Sequence, residues 1–112
     1  MDVTSLAAVE PFTTKDGSLI RELQHTTAQS LAEAKLEPGQ VTERHYHRVS
    51  EEIYFLLDGT GVLELDGQLR DVQPGDAVLI PPGSWHQIRA LEPLRFLCCC
   101  SPAYSHSDTF FE

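Results

Sequence analysis

Residues 39–59 read GQVTERHYHRVSEEIYFLLDG and carry the strongest structural signal in the chain. His45 and His47 are two residues apart, so on a β-strand both imidazoles project from one face and can reach one ion. Glu52 begins a second alternating run, and its carboxylate enters the same interior if the chain bends after His47. The stretch therefore predicts two short strands that present two imidazoles and one carboxylate to a common interior.

Short strands continue beyond this stretch at a regular spacing. Glycines at positions 59, 67, 75 and 83 are eight residues apart, and each follows Asp or Pro in a turn-like pair. Around them lie the segments IYFLL, GVLEL, LRDV and AVLI, which are rich in β-branched or aromatic residues and too short for ordinary helices. Repeated units of a short strand plus a turn are typical of a β-sandwich or a β-barrel.

Further strands are predicted on both sides of this meander. Residues 30–36 alternate, with Glu33 and Lys35 on the face opposite to the two alanines. Residues 18–23 read as an earlier strand and residues 93–100 as the last one, whereas residues 101–112 show no clear period and form a C-terminal tail. We therefore predict a single all-β domain over residues 1–112.

The composition is that of a folded, acidic protein. Hydrophobic residues make up 41% of the chain and charged residues 22%, which is ordinary for a globular protein. Seventeen Asp and Glu against eight Lys and Arg give a formal charge of −9, which repels phosphate backbones and anionic lipids. The N-terminus, MDVTSLAAVEPF, has neither a basic start nor a long apolar stretch. We therefore expect a cytoplasmic protein without nucleic-acid or membrane partners.

The three cysteines are consecutive, at positions 98, 99 and 100. Neighbouring cysteines cannot close a loop, so the chain has no disulfide framework. On a strand, Cys98 and Cys100 share one face while Cys99 takes the other. We interpret all three as small packing residues in a C-terminal strand.

His86 adds a third imidazole to the pair at 45 and 47. It follows the Pro81-Pro82-Gly83 turn, where a strand of the barrel begins. Three neutral imidazoles and one carboxylate suit Fe, Mn, Ni, Co, Cu or Zn better than Ca or Mg. The alternative is that these four are ordinary polar residues, but unpaired imidazoles and carboxylates are costly to bury.

These spacings resemble the two sequence motifs of the cupin family. The first motif is glycine, five residues, His-x-His, three or four residues, glutamate, six residues and glycine, and it is matched over residues 39–59 by Gly39, His45, His47, Glu52 and Gly59. The resemblance selects Glu52 rather than Glu51, because six residues separate Glu52 from Gly59.

The second motif is matched over residues 75–90 by Gly75, Pro81, Gly83 and His86. The chain departs from it at Ala90, where the motif ends in asparagine, and we expect a more apolar pocket as a result. The resemblance implies a double-stranded β-helix, or jelly roll. It also implies one divalent metal ion inside the barrel, with three imidazoles and one carboxylate as its ligands: His45, His47, Glu52 and His86.

Tyr54 and His106 are the candidates for proton transfer. Tyr54 is in phase with Glu52, and simple packing is the alternative role. Imidazole is the commonest proton-transfer group near neutral pH, but His106 reaches the site only if the tail folds over the mouth of the barrel. Otherwise His106 is a surface histidine.

The resemblance leaves two kinds of function open. The first is a metal-dependent enzyme that acts on a small oxygenated metabolite, such as a sugar, a keto acid or a hydroxy acid, by isomerase-, epimerase- or dioxygenase-type chemistry. The second is a binding or sensing module that holds a small ligand without turnover. The sequence selects neither the reaction nor the metal.

A second subunit is also expected. Ile53, Phe55 and Leu57 alternate with the inward-facing residues, yet they are too apolar for a freely solvated surface. Another surface must therefore cover them, and we expect the N-terminal strand to form part of this cover and a second copy of the chain another part. Homodimers are common among proteins that resemble this one, so we predict a homodimer.

Overall fold

The computed structural model describes residues 1–112 and consists of two antiparallel β-sheets. The strands are β1 (Phe12–Thr13), β2 (Leu19–His25), β3 (Ser30–Leu36), β4 (His45–His47), β5 (Glu51–Asp58), β6 (Gly61–Leu65), β7 (Gln68–Val72), β8 (Ala77–Ile80), β9 (His86–Ala90), β10 (Leu94–Ser101) and β11 (Thr109–Phe111). Two 3₁₀ turns, Leu6–Ala8 and His106–Asp108, are the only helical segments. Neither has the length or apolar character needed to cross a membrane.

The strand order is that of a jelly roll. One sheet has six strands in the order β1-β2-β3-β10-β5-β8, and the other has five in the order β11-β4-β9-β6-β7. Strands that are distant in sequence therefore lie side by side, as β10 does between β3 and β5. This architecture confirms the predicted all-β class and the double-stranded β-helix.

One apolar core fills the space between the two sheets. On β5, Glu52, Tyr54 and Leu56 are buried while Ile53 and Phe55 between them are exposed. This alternation confirms the period of two that the sequence indicates. The largest buried side chains are contributed by both sheets and include Leu56, Ile80, Ile88, Leu94 and Phe96.

Glu33 is a buried acidic residue on the outer face of the six-stranded sheet. The sequence predicts it beside Lys35 on that face, yet only 1% of Glu33 is exposed. Arg95 Nη1 donates a hydrogen bond to Glu33 Oε2 at 3.0 Å, and Arg21 Nη1 lies 3.6 Å from Oε1. The two guanidinium groups therefore balance its charge.

The prediction that residues 93–100 form the last strand is wrong. Residues 109–111 form β11, which pairs with β4 so that Thr109 lies opposite His47 and Phe111 opposite His45. Asp108 holds this end in place, because its carboxylate accepts hydrogen bonds from the backbone N–H groups of Val49 and Ser50. A strand of three residues is too short to show a period in the sequence.

Gly59 lies where two turns approach each other. Its φ is +80°, a conformation that favours glycine, and a Cβ atom there would overlap the carbonyl oxygen of Pro93. Gly67 has a similar φ of +86°, but open space surrounds the position of its missing Cβ. An alanine at position 67 would therefore introduce backbone strain alone, whereas an alanine at position 59 would introduce both backbone strain and steric overlap.

We expect Gly59→Ala to lower the free energy of unfolding by more than about 3 kcal/mol, because steric overlap adds to backbone strain of about 1–3 kcal/mol. Gly67→Ala should cost only the strain, about 1–2 kcal/mol. Urea denaturation followed by circular dichroism measures both. Equal losses in the two variants would show that the contact with Pro93 has no energetic effect.

Candidate metal centre

Three buried histidines lie together on the five-stranded sheet. His45 and His47 are on β4, and His86 begins β9 directly opposite His45. The strand alternation points both β4 imidazoles into the barrel, as the His-x-His spacing predicts. One ring nitrogen from each histidine lies within 4.8 Å of the others, close enough to hold one metal ion.

The fourth residue comes from the opposite sheet. Glu52 lies on β5 and is 4% exposed. Its Oε1 lies 3.3 Å from His47 Nε2 and 3.4 Å from His86 Nε2. Glu52 therefore lies against two of the three clustered histidines, and both sheets contribute to the site. Glu51 is exposed on the other face of β5.

Backbone carbonyl groups orient two of the imidazoles. His45 Nδ1 lies 2.8 Å from the carbonyl oxygen of Glu43, and His86 Nδ1 lies 2.9 Å from that of Ser84. A carbonyl oxygen only accepts, so each Nδ1 carries a hydrogen and donates it. The Nε2 atom of each neutral ring then presents its lone pair to the centre of the site.

The C-terminal strand orients the third imidazole. His47 Nδ1 lies 3.2 Å from the hydroxyl oxygen of Thr109, and that hydroxyl donates its hydrogen to the carbonyl oxygen of Ser105 at 3.0 Å. Thr109 therefore accepts from His47 Nδ1, which leaves His47 Nε2 free as a ligand. Nothing in the sequence of the tail indicated this role, because it depends on strand pairing.

Two buried polar atoms at the centre have no hydrogen-bond partner. These are His86 Nε2 and Glu52 Oε1. With the hydrogen of His86 on Nδ1, two lone pairs face each other, an arrangement that is costly in a buried site. A cation between them would satisfy both, and nitrogen with carboxylate oxygen is a ligand set that transition metals accept. The residues therefore fit a metal ion.

The electrostatics agree with this fit. Burial, together with the nearby imidazole of His86, lowers the pKa of His45 to about 4, so its ring is neutral near pH 7. Burial acts to raise the pKa of Glu52, but His47 and His86 outweigh it and hold that pKa well below its usual range. Burial acts to lower the pKa of His47, but the nearby Glu52 carboxylate outweighs burial and raises that pKa. A proton on His47 offsets the negative charge of Glu52, as a bound cation would.

A cavity of about 70 Å³ lies beside these residues. Its lining is mainly apolar and includes Ile20, Phe96 and Phe111 together with the hydroxyl-bearing Tyr54 and Tyr104. Burial, with the charge of Glu52, raises the pKa of Tyr54 well above its usual value, so the phenol keeps its proton. Ala90 belongs to the hydrophobic core and does not line this cavity.

The structure does not bring His106 to the cavity. The tail folds back and pairs with β4, but His106 lies in the exposed turn before β11 and is a surface histidine. Tyr104 and Thr109, on either side of that turn, line the cavity instead. Tyr54 is therefore the predicted proton-transfer candidate that faces the site.

Two of the cysteines also line the cavity. Cys98 and Cys100 share the inner face of β10, as the alternation predicts. The Cys100 thiol donates a hydrogen bond to Glu52 Oε2 at 3.3 Å, so it is more than a packing residue. Burial, reinforced by the charge of Glu52, raises the pKa of this thiol.

Comparison with known proteins agrees with the fold and the site. A family model described as "Cupin domain" matches residues 32–100. The protein MJ1618 of Methanocaldococcus jannaschii is 45% identical over 113 residues, which cover 95% of this chain and 90% of that protein. An oxalate-binding protein of Thermotoga maritima is 34% identical over 70 residues, which cover 62% of this chain and 58% of that protein.

Solved structures share the same architecture. The structure of KdgF from Halomonas sp. superposes with a TM-score of 0.84 and 24% sequence identity, covering 96% of both chains. At this identity the likeness shows a common fold. The family model matches residues 32–100, a range that includes both predicted motifs. Together with the 45% identity to MJ1618, this match shows that the chain belongs to the cupin family.

Proposed function

We propose that the protein binds one divalent transition-metal ion and uses it to convert a small oxygenated acid. The proposed ligands are His45, His47, Glu52 and His86. The observation that carries this proposal is the pair of facing buried atoms, Glu52 Oε1 and His86 Nε2, which have no hydrogen-bond partner. Fe, Mn, Ni, Co, Cu and Zn all accept such a ligand set.

The size of the cavity favours a compact substrate. Its volume is about 70 Å³. A single water molecule needs roughly 10–15 Å³, so the enclosed space suits a small ligand. A keto or hydroxy acid of two or three carbons has this size, whereas a sugar is larger.

The cavity lining carries one basic and three acidic side chains, so the bound metal ion, more than the lining itself, would offset the charge of an acid; the acidic ones are Asp16, Glu22 and Glu52. Lys15 is the only lysine or arginine that lines the cavity, and its side chain is at the exposed end. An ammonium group there can pair with a carboxylate at the cavity mouth. The similarity to an oxalate-binding protein of Thermotoga maritima supports the same class of ligand.

Turnover requires an open coordination position and a proton donor. Four protein ligands leave one or two positions at a five- or six-coordinate ion, and a bound divalent ion supplies Lewis-acid polarisation of a substrate oxygen. Tyr54 lines the cavity, and its raised pKa keeps its hydroxyl protonated. We propose that Tyr54 donates a proton to the polarised substrate oxygen.

Binding without turnover is the second candidate function. The relative from Thermotoga maritima is described as a binding protein, and the same metal and cavity serve this role without a proton donor.

We also propose a cytoplasmic location. The three free thiols favour it, because a reducing compartment preserves free thiols.

Replacing His45, His47, Glu52 or His86 with Ala should weaken metal binding by more than about 100-fold, because loss of a ligand exceeds the roughly 10- to 100-fold effect of an outer partner. Metal analysis of protein purified without an affinity metal column measures the content, and titration with Zn²⁺ measures the affinity. His25→Ala and His106→Ala are controls that should bind like wild type. Stoichiometric metal in the His86→Ala variant would contradict the proposed ligand set.

Tyr54→Phe should keep its metal and lower turnover of a two- or three-carbon keto or hydroxy acid by about 100- to 10,000-fold, the usual contribution of proton transfer. Steady-state kinetics after a substrate screen measure this, with His106→Ala as the control that keeps wild-type turnover. Normal turnover in Tyr54→Phe would remove Tyr54 from the mechanism. A metal-loaded protein that binds oxalate but turns over no acid would favour the binding function.

We also propose that the protein is a homodimer. Ile53, Phe55 and Leu79 lie on the outer face of the six-stranded sheet and are 41%, 40% and 53% exposed. Ile53 is directly opposite Leu79 in the strand pairing, so the three form one apolar patch. The N-terminal strands pair beyond β3 and do not cover it. A second copy of the chain is the proposed cover.

Phe55→Asp should halve the mass measured by light scattering at micromolar concentration, because a carboxylate in an apolar interface has no partner. Leu69→Asp is the matched control, since Leu69 is 69% exposed on β7 of the other sheet. A wild-type protein that is monomeric at the same concentration would contradict the proposed homodimer.

A further inference from the structure

The two oxygens of the Glu52 carboxylate have different surroundings. Oε1 faces the imidazoles of His47 and His86 and has no hydrogen-bond partner. Oε2 accepts a hydrogen bond from the Cys100 thiol at 3.3 Å. The carboxylate is therefore held in one orientation, with a single oxygen turned towards the centre of the site.

The strand register fixes this contact. Cys100 on β10 lies directly opposite Glu52 on β5, and its side chain is 2% exposed. The same register places Cys98 opposite Tyr54, where it lines the cavity without a hydrogen bond to Glu52. Cys100 is thus the cysteine whose position is matched to the carboxylate.

The contact bears on how many oxygens the carboxylate can offer a metal ion. Carboxylates bind metals through one oxygen or through both, and binding through both occupies an additional coordination position. A donor on Oε2 keeps that oxygen engaged away from the ion. A thiol is a weak donor, so it orients the carboxylate and withdraws little of its negative charge.

We infer that Cys100 is a positioning residue that keeps Glu52 bound through Oε1 alone and so reserves a coordination position for the small-molecule ligand. The inference rests on the proposed function, since it needs a metal ion at the site. It explains why a cysteine, rather than an aliphatic residue, occupies this buried position beside a carboxylate. It assigns Cys100 to ligand affinity, not to the chemical step.

The test uses the full chain loaded with Co²⁺, whose visible absorption reports coordination number, and oxalate as the probe ligand. Cys100→Ala should still bind Co²⁺, show an altered absorption spectrum before oxalate is added, and bind oxalate about tenfold more weakly, an effect of the size seen for outer partners at metal sites. Cys100→Ser, which restores a donor, should recover both the wild-type spectrum and the oxalate affinity.

Cys99→Ala is the matched control, because it removes a thiol from the same strand on the face that does not line the cavity, and it should change neither reading. If Cys100→Ala does not fold, Cys100→Val removes the donor while filling the space, and the same shifts are expected. A wild-type spectrum and wild-type oxalate affinity in the donor-free variant would overturn the inference and leave the metal site intact. Wild-type protein that binds no Co²⁺ would instead overturn the proposed function and the inference with it.

Discussion

Glu52 Oε1 and the Nε2 atoms of His47 and His86 converge in the protein interior with no hydrogen between the carboxylate and His86. Much of the surrounding structure holds this unfavourable arrangement in place. Two backbone carbonyls and one threonine hydroxyl fix the outer nitrogens of the rings. Glu52 comes from the opposite sheet, so the site also requires the two sheets to be set accurately against each other. A cation at the centre turns this cost into attraction.

The features that the sequence predicts well are those encoded by local alternation. The buried run of Glu52, Tyr54 and Leu56 on β5 follows directly from a period of two, and so does the shared face of His45 and His47. The spacing of the glycines likewise indicates the turns between the central strands. Each of these signals is complete within about eight residues, which is the length of one strand with its turn.

The features that it misses depend on pairing between distant strands. Thr109 contacts His47 across 62 positions of sequence, and the three residues of β11 are too few to show a period. Glu33 is buried because Arg95, also 62 positions away, donates to it from a neighbouring strand. Cys100 contacts Glu52 across 48 positions. Local patterns place such residues on a face but do not identify the partner that gives them a role.

The C-terminal strand also bears on the order of events during protein synthesis. Translation proceeds at about 5–20 residues per second, so His47 exists for roughly 3–12 seconds before the ribosome has added Thr109. In that interval the His-x-His pair has no partner to orient its second ring. The second ring is therefore oriented only after the last strand has been synthesised and has paired with β4.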